Sequence, residues 1–88
     1  MWVRSQDKKK LLKVQRIEIC NDCQIFVMSA GQSYKVAEYS TGEKALKVLD
    51  MMQEHIKSMF VDTGMFMGYP FQMPLDKEVR YSGKVLCL

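Results

Sequence analysis

The sequence contains no apolar run long enough to cross a membrane, and its first residues lack the basic and then apolar segments of a signal peptide. It has one histidine, no glycine-rich phosphate loop, and no nucleophile in a recognisable motif beside a base. No carboxylates are paired at a distinctive spacing. These absences predict a cytoplasmic protein that is not an enzyme and needs no cofactor.

Cysteine is present without the pattern of a disulfide framework or a zinc site. The chain has three cysteines, Cys20, Cys23 and Cys87, and an odd number argues against a set of disulfides. Cys20 and Cys23 have the spacing of half a zinc knuckle, which His55 and Cys87 would have to complete. A structural zinc site normally supplies a second close ligand pair. We therefore expect no metal, and free thiols at strand ends.

Length and charge predict one small domain with a basic N-terminal segment. The chain has 88 residues, of which 48% are hydrophobic, so one core over residues 1–88 is expected. Residues 1–20 contain six basic and two acidic side chains, although the whole chain carries only +3. Such a segment attracts phosphate-bearing partners. A solvated lysine-rich turn also explains the run from Lys8 to Lys10 without any partner.

Four segments within residues 2–39 have the composition of strands. They are residues 2–6, 11–20, 25–28 and 34–39, separated by short polar turns that predict an antiparallel meander. In the second segment the apolar phase changes at Gln15 and Arg16. The change predicts either a bulge or a strand that passes between two sheets.

A long amphipathic helix is predicted from about residue 41 to about residue 60. Ser40 and Glu43 have the spacing of a capping box. Apolar residues then recur at helical spacing: Ala45, Val48, Leu49, Met52, Ile56, Met59 and Phe60. The fold expected is α+β, with this helix packed on a small antiparallel sheet of about four to five strands.

Residues 61–88 are predicted to form an extended loop and a short strand. Pro70 and Pro74 favour extended backbone and exclude a central strand, so the short strand is placed at residues 79–81 or 85–88. The apolar residues between 65 and 73 exceed what one helix and one sheet face can cover. We therefore expect burial against a second copy of the chain, and a ligand pocket at that interface.

Three segments resemble known proteins: MWVRSQDK at residues 1–8, EYST with EKALKVLD at residues 38–41 and 43–50, and FQMPLDKEV at residues 71–79. They resemble a family of short uncharacterised proteins encoded by phages, prophages and mobile elements of Gram-positive bacteria. The resemblance implies a phage context in the cytoplasm of a bacterial host cell, and no established activity. By analogy with small oligomeric phage inhibitors, we expect a non-enzymatic protein that sequesters a nucleotide-like small molecule, a host immune signal, at a subunit interface.

Seven residues have side chains suited to such a ligand. Arginines bind phosphate, aromatic rings stack on a base, and glutamines bind base or ribose edges. The candidates are Arg4 and Arg80 for phosphate, Trp2, Tyr39 and Tyr69 for stacking, and Gln6 and Gln72 for edges. Each has an ordinary alternative, such as a core position for Trp2 or a solvent-facing strand position for Gln72.

Two other functions remain open from the sequence. The apolar segment of residues 65–73 would dock on a host protein and inhibit it, with Phe66, Tyr69 and Phe71 as anchors. Alternatively, basic and aromatic residues on the strands would bind single-stranded nucleic acid, with help from the lysine run. The residues concerned are Arg4, Lys13, Arg16, Lys35, Trp2, Phe26, Tyr34, Tyr39 and Lys8 to Lys10.

Overall fold

The structure, a computed structural model, describes residues 1–63 and 69–79 and gives them an α+β fold, as predicted. The described residues form six strands, one long helix and a short 3₁₀ turn. In chain order these are β1 (Trp2–Arg4), β2 (Leu11–Lys13), β3 (Arg16–Cys20), β4 (Gln24–Ser29), β5 (Gln32–Glu38), α1 (Gly42–Thr63), β6 (Phe71–Gln72) and the turn Asp76–Glu78.

The strands form two three-stranded sheets, so the prediction of a single antiparallel sheet is wrong. The first sheet has the order β2-β1-β6, with β1 antiparallel to β2 and parallel to β6. The second sheet has the order β3-β4-β5 and is the antiparallel meander that the short turns predicted. The parallel partner of β1 comes from the proline-containing segment, where β6 is an edge strand and therefore tolerates the neighbouring prolines.

The change of apolar phase at Gln15 and Arg16 marks a passage between the two sheets. β2 belongs to the first sheet and β3 to the second. Between them the Val14 N–H donates to Met1 O and the Gln15 N–H donates to Met28 O, each at 2.8 Å. Val14 is therefore bonded beside the first sheet and Gln15 to the second, so the backbone changes its hydrogen-bonding partner from one residue to the next.

A bulge in β5 joins the sheets a second time. The register between β4 and β5 shifts between Ile25 and Phe26, which leaves Val36 as the extra residue. The Val36 carbonyl turns toward the end of β1 and accepts the Gln6 N–H at 2.7 Å. Linked at both places, the sheets present their inner faces to a common core.

Helix α1 begins at Gly42, and its cap is Thr41 rather than the predicted Ser40. The Thr41 carbonyl accepts the first intrahelical bond from Ala45, while Thr41 Oγ1 accepts the Lys44 N–H at 3.2 Å. The Ser40 N–H instead donates to Asp76 Oδ1 at 2.7 Å. The 3₁₀ turn is thus tied to the start of the helix, and the helix extends to Thr63, slightly beyond the predicted end.

The core lies between the helix and the inner faces of both sheets. Its fully buried members include Val3 of the first sheet, Ile25 and Val27 of the second, and Val48 and Met52 of the helix. The apolar segment before Pro74 also contributes to it. Two of its described members lie in this core: Met73 is 1% exposed and Phe71 is 9% exposed.

The burial of Phe71 and Met73 removes part of the argument for a second copy of the chain, because this surface is covered within one chain. Tyr69, another residue of that argument, is 82% exposed. Residues 65–67 lie outside the described residues, as do the second predicted closing strand at residues 85–88 and most of the first. Val79, at the start of the first, is a buried bend after the 3₁₀ turn. No helix in the described part of the chain combines the length and hydropathy needed to cross a membrane.

Candidate functional site

The solvent-facing side of the first sheet carries three of the seven predicted ligand residues. Alternation along β1 places Val3 in the core and its neighbours Trp2 and Arg4 outside. The register places Lys13 opposite Trp2, and both Leu11 and Gln72 opposite Arg4. We call this surface the outer face; it consists of Trp2, Arg4, Leu11, Lys13 and Gln72.

The outer face combines an exposed aromatic ring with a cation in the facing position. Trp2 is 39% exposed, which is high for an indole on a sheet. Lys13 is its directly opposed neighbour on β2, and such pairs have Cβ atoms about 5 Å apart. Leu11, one row further along, is 53% exposed and extends the apolar part of the surface. A planar ring has room to stack here with a positive charge beside it.

Arg4 occupies the centre of this sheet, between Leu11 and Gln72. Its Nε donates to Lys8 O at 3.2 Å, which anchors the guanidinium against the β1–β2 turn. Within the described residues the two terminal nitrogens of Arg4 make no hydrogen bond to the protein. The fork of an arginine is suited to binding phosphate or carboxylate oxygens in a bidentate manner.

Gln72 has less to offer a ligand than the sequence predicted. Its Nε2 group donates to Ser5 O at 3.0 Å and to Met73 O at 2.9 Å, so both amide hydrogens are used. Only its carbonyl oxygen is left to accept a bond from a ligand.

The β1–β2 turn next to the outer face is strongly cationic. It contains Lys8, Lys9 and Lys10. Its one acidic residue, Asp7, forms hydrogen bonds within the turn. Asp7 Oδ1 accepts the Ser5 hydroxyl at 2.6 Å and the Lys9 N–H at 3.0 Å, and these bonds hold the pKa of Asp7 below its usual value, the serine bond first. The ion pairs found within the described residues involve none of these three lysines.

The corresponding face of the second sheet is different, because its cations are paired with acids. Arg16 Nε lies 3.5 Å from Glu18 Oε2, and Lys35 Nζ lies 3.0 Å from Glu38 Oε1. The bond from Lys35 is the main cause that lowers the pKa of Glu38. The aromatic ring on this face, Phe26, is only partly exposed. The unpaired positive charge of the strands therefore lies on the first sheet and its turn.

Gln6 and Tyr39 hold the C-terminal segment in place. Gln6 Nε2 donates to Glu38 O and Pro74 O, and Gln6 Oε1 accepts the Glu38 N–H, at 3.0 to 3.2 Å. The Tyr39 hydroxyl donates to Pro74 O at 2.8 Å, and the residue is 3% exposed. Neither side chain belongs to the outer face, and the Tyr39 ring has no surface on which a base can stack.

Tyr69 lies away from the outer face, near helix α1. Tyr69 is 82% exposed, and its carbonyl lies 2.9 Å from His55 Nε2, which places it near helix α1. An open groove of about 530 Å³ adjoins His55 and is lined by Lys47, Asp50, Met51, Glu54, His55 and Phe71. Arg80 lies outside the described residues.

Cys20 and Cys23 are free, partly buried thiols beside the β3–β4 turn. Within residues 1–63 and 69–79, no group of three or more histidine, cysteine, aspartate or glutamate side chains is arranged to hold a metal ion. Cys87, which the zinc alternative required, lies outside the described residues.

Leu11 is the member of the outer face that sequence reasoning did not single out, and Lys13 was considered only for nucleic acid. The alternation of Leu11, Leu12 and Lys13 contained this information, since a half-buried Leu12 places its two neighbours on the opposite face. The sequence did not show the register of β2 with β1, which places Leu11 opposite Arg4 and Lys13 opposite Trp2.

Comparison with protein-family models, with curated proteins and with solved structures finds no match for the chain.

Proposed function

We propose that this chain is a non-enzymatic binding protein that captures a nucleotide-like small molecule on the outer face, with a second copy of the chain covering the ligand. The observation that supports this proposal is the exposed Trp2 with Lys13 directly opposite and Arg4 two residues along the same strand. A base would stack on the indole, and a phosphate would bind the guanidinium of Arg4.

The second copy follows from the shape of the outer face. The face is one side of a small sheet, so a ligand stacked on Trp2 would keep its other side in water. Small-molecule sites usually enclose most of their ligand. A second copy closing over the ligand would supply that enclosure. In the phage context that the sequence resemblance implies, the ligand would be a nucleotide signal of a host defence system.

The first test is a titration that uses the chain's only tryptophan as the reporter. Nucleotide monophosphates, cyclic nucleotides and ADP-ribose derivatives are added while Trp2 fluorescence is recorded, and native mass spectrometry reports subunit number and bound mass. Stacking predicts quenching, together with a discrete oligomer that gains whole ligand masses. A flat fluorescence response across the panel contradicts the proposal for those compounds.

Arg4→Ala should weaken binding at least tenfold and leave the subunit number unchanged, because it removes a charge-assisted pair to phosphate. The matched control is Arg16→Ala, which removes an exposed arginine from a strand of the other sheet, where its partner is Glu18. Equal losses in the two variants would indicate general charge attraction rather than a site at Arg4.

Docking on a host protein is the second candidate, and the exposure of Tyr69 favours it. Tyr69 is 82% exposed, and its carbonyl lies 2.9 Å from Nε2 of His55, a residue that lines the groove with Met51 and Phe71. Exposed aromatic residues often anchor protein interfaces. If this function is correct, Tyr69→Ala abolishes inhibition of the host target while Arg4→Ala has little effect.

A further inference from the structure

The cationic surface does not end at the outer face but continues around the β1–β2 turn. Residues 1–13 carry the basic side chains of Arg4, Lys8, Lys9, Lys10 and Lys13 against the single acid Asp7. Asp7 is already bonded to Ser5 and Lys9 within the turn. In the described part of the chain, the four ion pairs use Arg16, Lys35, Lys44 and Lys57 instead.

The cations of this hairpin lie in successive rows along its length. Lys13 is in the row of Trp2, Arg4 is in the next outward-facing row, and the three lysines occupy the turn beyond it. Two residues of a strand advance by roughly 7 Å, so the rows form a track rather than a point. A nucleotide monophosphate stacked on Trp2 has one phosphate group and cannot reach every row.

The turn is held in a fixed shape that presents its lysines to solvent. The Lys8 N–H donates to Ser5 O at 2.8 Å, and Lys8 has a φ of 68°. The Lys8 carbonyl accepts from Arg4 Nε, so the phosphate-binding residue of the outer face and the turn are joined directly. All three lysines are exposed.

We propose that the outer face, besides a small nucleotide, also binds a single strand of nucleic acid, whose backbone follows this track from Lys13 past Arg4 to the lysine turn. This inference rests on the proposed function, because a base must first stack on Trp2. An exposed ring beside a cationic track is the arrangement with which proteins bind single strands independently of sequence.

The test compares thymidine monophosphate with an oligothymidylate of about eight nucleotides, a length within the usual range for such sites. Both are titrated against Trp2 fluorescence over a series of salt concentrations. Three to five phosphate contacts predict a slope of log affinity against log salt of about −2 to −3.5. The oligonucleotide should also bind at least tenfold more tightly than the monophosphate.

A turn variant isolates the lysines. Lys8→Asn, Lys9→Gln and Lys10→Gln are combined, with asparagine at residue 8 because it tolerates the positive φ there. The salt slope should become shallower by about 2, since each single-strand contact contributes about 0.7. Binding of the monophosphate should not change. The control combines Lys35→Gln, Lys47→Gln and Lys57→Gln, which removes the same charge elsewhere.

The outcomes separate the two proposals. Monophosphate binding that depends on Arg4, with no gain for the oligonucleotide, overturns the single-strand inference and leaves the proposed function standing. Equal loss of oligonucleotide binding in the turn and control variants also overturns it, as does equal affinity for a duplex, in which no base is free to stack. No response of Trp2 to either ligand overturns the single-strand inference as well, while the wider nucleotide panel of the first test decides the proposed function itself.

Discussion

Ala30 lies in a backbone conformation that alanine rarely adopts. It occupies the two-residue turn between β4 and β5 with a φ of 53°, and Gly31 follows with a φ of 81°. Two successive residues with positive φ are typical of the type I′ hairpin turn, whose preferred sequence is Asn-Gly. The left-handed conformation costs alanine roughly 1–2 kcal/mol, and asparagine tolerates it better.

We therefore predict that Ala30→Asn raises the free energy of unfolding by about 0.5–1 kcal/mol. Urea denaturation measures the change, and the side chain is exposed, so no core contact is altered. Ala30→Val is the opposing control and should lower stability, because a β-branched residue is strained at positive φ. A stable Ala30→Val variant would contradict the turn assignment.

At the scale of elements, the segment from Met73 to Val79 is attached to the rest of the fold by side chains as well as by β6. Tyr39 and Gln6 both donate to Pro74 O, and Asp76 accepts the Ser40 N–H and lies 3.3 Å from Lys44 Nζ. The bond from the Ser40 backbone is the main cause that lowers the pKa of Asp76. These contacts hold the segment against the junction between β5 and α1.

Tyr39→Phe tests this attachment and its dependence on pH. The free energy of unfolding of the variant should be lower by about 1 kcal/mol near neutral pH, which is the net contribution of one hydrogen bond. Burial raises the pKa of Tyr39 above its usual value of 10.0, and the charges of Asp76 and Glu78 raise it further. The folded state therefore keeps its phenolic proton above pH 10 while the unfolded chain loses it.

The stability that Tyr39 contributes is complete below about pH 10 and falls as the pH rises above that value. The advantage of the wild-type chain over Tyr39→Phe should stay constant up to about pH 10, the usual pKa of tyrosine, and shrink as the pH rises above it. Chemical denaturation of both proteins at several pH values measures the difference in their free energies of unfolding. A difference that stays constant with pH would show that the hydroxyl is not buried in the folded state.

The elements that sequence analysis predicted correctly are those whose signals are local. The spacing of Ala45, Val48 and Met52 predicted the helix, and the short turns between strands predicted the second sheet. The exchange at Gln15 and Arg16 was visible as a change of phase, although a bulge remained an equal alternative. β6 was missed because its partner is β1, and no local pattern encodes a pairing with the far end of the chain.

The candidate site shows the same limit. Sequence analysis placed Trp2 and Arg4 among the candidates because their residue types are rare or charged, and the structure places both on the exposed side of β1. Gln6 and Tyr39 were predicted to contact the ligand because the sequence alone does not show whether an amide or a phenol binds a ligand or another part of the chain. Only the position of Pro74 O, contributed by a distant segment, shows which role their hydrogen bonds take.

For the whole molecule, the proposal of a second copy makes a prediction about which surface that copy covers. Two leucines allow a matched test. Leu11 on the outer face is 53% exposed, and Leu46 on helix α1 is 56% exposed. If the outer face is the interface, Leu11→Arg should dissociate the oligomer by placing a charge at the contact, while Leu46→Arg should not.

Sedimentation equilibrium measures the mass, and circular dichroism checks that both variants stay folded. Dissociation by Leu46→Arg alone would place the interface on the helix side. It would also remove the enclosure that the proposed ligand site requires.

The pairing of β1 with β6 has a consequence for how the chain acquires its structure. Val3 and Phe71 are neighbours in the first sheet, and Gln6 and Pro74, also in contact, are 68 residues apart in sequence. Contacts of such long range form slowly, because the loop between them must close first, whereas the hairpins of the second sheet need only short loops. During synthesis the second sheet can therefore form while the first still lacks a strand. The outer face is completed only when the segment that contains β6 has been made.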